Sequence, residues 1–138
     1  MSKAVVREYV ARFNRGDTAG LRELFHEHAQ ISEAAEWLDL DQVMPHWEQA
    51  IDGLGVDLDI EHIVAEGDAV ALLYTERGWS RAPYFGRQAT GRSYELPAVD
   101  WFVIIEGRIA RQWRIRDGAA LQRQLGWREA LPAESSTA

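Results

Sequence analysis

Residues 90–127, TGRSYELPAVDWFVIIEGRIARQWRIRDGAALQRQLGW, carry the reading on which the fold turns. Positions 94–105 are rich in β-branched and aromatic residues, Glu106-Gly107 supplies a turn, and 108–115 return with strand character, so the segment reads as a long β-hairpin. A short helix over 118–125 follows. Gly107 is the natural left-handed residue of the turn. A three-residue turn with a bulge at Gly107 sets Ile104 opposite Arg108. That register gives one face Ala98, Asp100, Phe102, Ala110, Gln112 and Arg114, and the other face Trp101, Val103, Ile109, Arg111, Trp113 and Ile115. A carboxylate within so apolar a hairpin needs a purpose, which makes Asp100 the first functional candidate.

Working outward, 138 residues make one domain, expected over residues 1–131, with a small, polar, disordered tail over 132–138. A net charge of -7 argues against nucleic acid or an anionic membrane as partner. With no cysteine there is no disulfide or thiolate chemistry, and the reducing cytoplasm suits the chain. The N-terminus lacks a signal-peptide pattern, and no run approaches the roughly 20 apolar residues of a membrane span. Six tryptophans suit a large aromatic core or an aromatic-lined cavity.

Val6, Tyr9, Val10 and Phe13 recur at helical spacing over 3–14. Gly16 caps that helix, and Asp17 or Thr18 caps a second one with Leu21, Leu24 and Phe25 inside. A strand over 28–33 sets Ala29, Ile31 and Glu33 on one face. Asp39 or Asp41 caps a third helix, roughly 42–53, in which Pro45 falls within the first turn. Val56, Leu58, Ile60, His62 and Val64 form the half-buried face of a strand that turns at Glu66-Gly67-Asp68 into an apolar strand over 69–79. The interval 80–88, with Pro83, Tyr84 and Phe85, reads as a loop able to fold over a cavity mouth. Helices on one face of a curved antiparallel sheet make an α+β domain with a cone-shaped interior.

These residues resemble a known family. FNRGDTAGLRELF from Phe13, AEGDAVALLYTERG from Ala65, TGRSYELP, EGRI and LQRQLG are similar to the SnoaL-like branch of the nuclear-transport-factor-2-like (NTF2-like, cystatin-like) superfamily. That branch holds polyketide cyclases and is related to ketosteroid isomerases and limonene epoxide hydrolases. The resemblance implies the cone-shaped fold, with a curved antiparallel sheet, helices on its concave face and a cavity. Ketosteroid isomerases carry a helix tyrosine, an acidic base after the first strand and a protonated aspartic acid in the strand before the last turn, which fall on Tyr9, Glu33 and Asp100. The acid-base aspartate of the polyketide cyclases falls on Arg114, a cation. The Arg-x-Asp pair and last-strand aspartate of the epoxide hydrolases fall on Arg77, Trp79 and Arg114, so that reaction is the least expected.

The catalytic candidates are therefore Glu33, Asp100 and Tyr9. Arg114, Gln112 and Phe102 on the hairpin, His62 and Trp79 on the preceding strands, and Trp37 and Phe13 complete the expected substrate-binding set. Each has a structural alternative: Tyr9 as a core aromatic, His62 as a core histidine, and Asp100 as the partner of Arg114 in a cross-strand ion pair that keeps it ionised. His26 and His28 bracket Glu27 on a turn that points to solvent, so no metal is expected. No phosphate loop, dinucleotide fingerprint or serine triad appears, so no cofactor is expected. The expected function is acid-base chemistry on a small hydrophobic carbonyl compound through an enolate, by an isomerase, cyclase or lyase. The alternative is a non-catalytic ligand-binding protein or dimerisation module. A homodimer through the apolar outer face of the hairpin fits either.

Overall fold

The structure is a computed structural model and describes residues 2–33 and 35–127. The expected tail over 132–138 lies outside the described residues. The chain runs α1 (Ser2–Asn14), α2 (Thr18–Glu23), β1 (Phe25–Glu33), β2 (Glu36–Leu38), α3 (Leu40–Leu54), β3 (Asp57–Glu66), β4 (Ala69–Trp79), β5 (Ser93–Ile105), β6 (Arg108–Arg116) and α4 (Gly118–Leu125). The six strands form one curved, unclosed sheet in the order β2-β1-β6-β5-β4-β3. Every pairing is antiparallel except β1 with β6. The helices cover the inner face, where Val6, Tyr9, Phe13, Leu21, Val43, Trp47 and Leu54 meet Ile31, Val70, Leu72 and Phe102 in one continuous core.

Local chemistry sets the helix ends. Asp17 accepts from the Gly20 amide and opens α2, while Gly55, left-handed at φ 54°, closes α3. Asp39 and Gln42 form a reciprocal capping box, so α3 begins at Leu40, two residues earlier than its apolar periodicity indicates. Pro45 consequently lies beyond the first turn and removes one helix hydrogen bond. The box and the buried face of Leu40, Val43 and Trp47 outweigh that loss.

Two strand registers depart from expectation, each through a bulge. The hairpin turn is a two-residue one, with Glu106 at φ 50° and Gly107 at φ 77°, and Ile105 pairs with Arg108. Pairing then runs from Ile104 with Ile109 to Val103 with Arg111, leaving Ala110 as the extra residue. The bulge turns Ile109 into the core and sets Phe102 opposite Gln112 and Asp100 opposite Arg114, so that these four still share one face as expected. In β3 the register slips between Ile60 and His62. Ile63 and Ala65 therefore pack against the core, and His62, expected to face inward, is exposed.

Candidate active site

Period-two alternation along β4 and β5 places Tyr74, Glu76 and Asp100 on the inner face, all fully buried or nearly so. Their neighbours in β6 on that face are Gln112, Arg114 and Arg116. Arg114 is the centre of this cluster. Its Nη1 lies 3.6 Å from Glu33, its Nη2 3.6 Å from Glu76 and its Nε 3.8 Å from Asp100. Only 6 % of the side chain is exposed. None of these separations is a hydrogen bond, and Nε has no hydrogen-bond partner among the described residues. The charge of Arg114 is thus neutralised while its donors stay open. Burial opposes its charge, yet Glu33, Tyr74 and Asp100 hold it above the ordinary arginine range.

Behind Arg114 the polar groups are closely bonded. Tyr74 donates its hydroxyl to Asp100 Oδ1 at 2.9 Å, and Gln112 Nε2 donates to Asp100 Oδ2 at 2.8 Å and to the Tyr9 hydroxyl at 3.0 Å. Burial pushes the Asp100 carboxyl up to about 6, outweighing the opposing pull of Arg114, Tyr74 and Gln112. Burial likewise raises Tyr9 and Tyr74, which stay protonated. Beside this chain, Glu76 Oε2 accepts from the Tyr94 hydroxyl at 2.5 Å and from Arg116 Nη1.

A cavity of about 500 Å³ opens over the cluster, with Glu33, Glu36, His46, Tyr84, Arg114 and Arg116 among its lining. Burial raises the Tyr84 phenol here too, against the pull of Arg116 and Arg114. The Tyr84 ring stacks on Trp127 at 5.3 Å, so the 80–88 segment does reach the mouth of this cavity. A more open depression of about 540 Å³, bounded by Trp79, Gly78, Arg77 and Gln124, lies apart from Arg114 and Asp100.

The expected site residues therefore separate into three groups. Glu33 and Arg114 line the cavity. Asp100, Gln112 and Tyr9 sit behind Arg114 in the buried bonded chain, and none of them lines it. Phe102 and Phe13 are core, edge-on and tilted against Tyr9 at 5.3 and 5.9 Å. His62, Trp37 and Trp79, expected in the substrate-binding set, do not line this cavity. His62 is turned out by the β3 bulge, Trp37 packs on Trp113 with Arg111 over its ring, and Trp79 is stacked by Arg81 at the second depression. Glu76, Tyr74, Tyr94 and Arg116 were missed. The alternation Val70, Leu72, Tyr74, Glu76 carried the signal for two of them, because an acid at the end of an apolar strand face is as unusual as Asp100 in its hairpin. Among the described residues no group of His, Asp and Glu could hold a metal ion. Nor is any described helix long and apolar enough to cross a membrane.

The fold has many close structural counterparts. AclR of Streptomyces galilaeus, provisionally described as a hydroxylase, is similar with a TM-score of 0.82 at 23% identity, over 91% of this chain and 95% of that one. IdmH of Streptomyces antibioticus, provisionally described as a polyketide cyclase, is similar with a TM-score of 0.79 at 26% identity, over 91% and 99%. A provisionally described polyketide cyclase of Xanthomonas campestris gives a TM-score of 0.81 at 22% identity, over 90% and 96%. No curated protein matches the sequence. The SnoaL-like polyketide cyclase family matches residues 3–125, nearly the whole described chain, and the protein belongs to that family.

Proposed function

We propose that this protein is an acid-base enzyme that needs no cofactor and acts on a small hydrophobic carbonyl compound through an enolate, as an isomerase, cyclase or lyase. The observation that carries the reading is the pairing of Glu33 and Arg114, 3.6 Å apart, in the lining of one cavity. Glu33, with 14 % of its side chain exposed, is the lining carboxylate that stands beside Arg114, and it serves as the base. Arg114 has unengaged donors and a compensated charge, so it meets the carbonyl oxygen at little electrostatic cost and gains as negative charge develops there. This role shifts the oxyanion contact from Tyr9 and Asp100, the pair that a ketosteroid isomerase would use, to the guanidinium. Tyr9, Gln112, Asp100 and Tyr74 then act as positioning residues that fix Arg114 from behind.

The test is proton-carbon exchange. Hydrophobic ketones are incubated with the protein in D2O, and loss of the α-proton signal is followed by NMR. Glu33→Gln should slow enzyme-dependent exchange by about 10²- to 10⁴-fold. Undiminished exchange in that variant removes Glu33 as the base.

A second reading has one observation in its favour. Arg114 stands where the resemblance places the cyclase aspartate, so the last strand lacks that acid, and the cavity would then hold a ligand without turnover. Tight retention of a ketone with no exchange in wild-type protein decides for it. Under either reading the exposed outer face of Trp37, Trp101 and Ile115 suits a homodimer. The acidic, cysteine-free chain suits a cytoplasmic setting.

A further inference from the structure

Arg116 belongs to the same cavity lining as Arg114, two residues along the same strand face, so their Cα atoms are about 7 Å apart. Two like charges this close, in a site that is largely out of water, repel one another unless something lies between them. Glu76 does. Its Oε1 faces Arg114 Nη2 at 3.6 Å, and its Oε2 accepts from Arg116 Nη1 and from the Tyr94 hydroxyl. The Glu76 side chain is wholly inaccessible and takes no place in the lining, so it cannot touch a ligand. Arg116 can, with 21 % of its side chain exposed. Only one of its guanidinium nitrogens is engaged among the described residues, which leaves further N–H donors for a bound molecule.

We infer that Arg116 is a second substrate-binding residue, held in place by Glu76 and Tyr94, and that the substrate carries a second oxygen acceptor four to five bonds from the carbonyl that meets Arg114. The second acceptor is uncharged. The carboxylates of Glu33, Glu76 and Asp100 already surround the two guanidiniums, and Glu36 also lines the cavity, so a further full negative charge would be repelled. A ketone, ester or amide oxygen takes the open hydrogen bonds without adding charge. Glu76 is a positioning residue: through Arg116 it sets where the second oxygen must lie, and because its Oε1 also faces Arg114, the Tyr94 hydroxyl on its Oε2 is the contact that bears on selectivity apart from the rate of proton removal.

This inference rests on the cavity being the substrate site, and two independent readouts keep it separate from the role given to Glu33. The probes are 1-phenylhexan-1-one, with one acceptor, and 1-phenylhexane-1,5-dione, with two. Binding is followed through the guanidinium NMR resonances of Arg116 in protein labelled with 15N-arginine, which requires no turnover. The dione should shift the Arg116 resonances and bind roughly three- to tenfold more tightly than the monoketone, the yield of about one added hydrogen bond. Arg116→Gln should bring the ratio of the two affinities close to one, and the exposed control Arg108→Gln should retain it. Glu76→Gln should narrow the guanidinium shift range of Arg116 and lower the same ratio. Tyr94→Phe, which keeps the charge and removes only the hydroxyl, should do so in smaller measure and serves where Glu76→Gln does not fold. Where exchange is observed, the effect of Tyr94→Phe should fall on KM for the dione and leave kcat within about twofold. Equal affinity for the two ketones in wild-type protein, or a ratio that survives Arg116→Gln, overturns the inference. Absence of exchange with intact dione selectivity overturns the base and leaves the binding residue standing.

Discussion

Asp100→Asn tests how the fold carries a wholly buried carboxylate beside Arg114. Burial lifts this acid from 3.8 to about 6 in the native state, net of the help from Arg114, Tyr74 and Gln112. Two units correspond to about 3 kcal/mol against the ionised form. Because the folded value lies above the unfolded one, the native state holds the extra proton between them. The contribution to stability is complete below 3.8 and is lost as pH rises through about 6. Between about pH 4.5 and about pH 7.5 the loss is about 2 kcal/mol. Asparagine does not titrate and abolishes this slope. Its Oδ1 can keep the Tyr74 hydrogen bond, and its Nδ2 can donate to Gln112 Oε1, which has no partner among the described residues, once that amide turns over. Tyr9 can then donate to the same Gln112 oxygen. Urea unfolding of both proteins at the two pH values gives a difference of differences from which the surface carboxylates cancel. Asp100→Asn should gain about 2 kcal/mol on the wild type as pH is raised. Parallel pH profiles, or a variant that loses ground at the higher pH, would refute the reasoning and mean that the pair with Arg114 outweighs desolvation.

Four further outcomes follow from the same geometry. Arg114→Met strips the counter-charge from Glu76 and Asp100 and should cost about 3–5 kcal/mol in urea unfolding near neutral pH, with a smaller loss where Asp100 is protonated. Gly78→Ala drives a Cβ to within 2.3 Å of the Leu54 carbonyl oxygen and 2.8 Å of the Tyr94 ring. Since a backbone oxygen yields little, thermal unfolding should show a loss of about 1–3 kcal/mol. Asp39→Ala breaks the capping box of α3 and should cost about 1 kcal/mol, with the cavity chemistry retained. Trp101→Glu on the exposed outer face should convert a dimer to a monomer in light scattering without unfolding it, and a mass unchanged by the substitution counts against that face as the interface.

The architecture and the order of the elements were legible in the chain because both rest on local signals, except for the three-residue edge strand β2, too short to show a period, and the start of β1 at Phe25, which the helical spacing claims. The 3.6-residue recurrence of Val6, Tyr9, Val10 and Phe13, the caps at Asp17 and Asp39, the alternation of β4 and the Glu106-Gly107 turn are each written within a dozen residues. Asp100 stood out because a carboxylate in an apolar hairpin is conspicuous without coordinates, whereas Glu33 and Arg114 were singled out by the resemblance to the family. The sequence by itself could not show which of these groups meet a ligand. A one-residue bulge at Ala110 and another in β3 decide what faces inward, and both express sheet twist and packing rather than local preference. The inner bulge brings Ile109 in and keeps Arg114 beside Asp100, while the outer one sends His62 to solvent. The coupling of Glu76 to Tyr94, Arg114 and Arg116 joins residues 18 to 40 positions apart, so no local pattern could announce it. Only the covered inner face of the sheet, with water kept from those side chains, turns a strand-end glutamate into the counter-charge shared by two arginines.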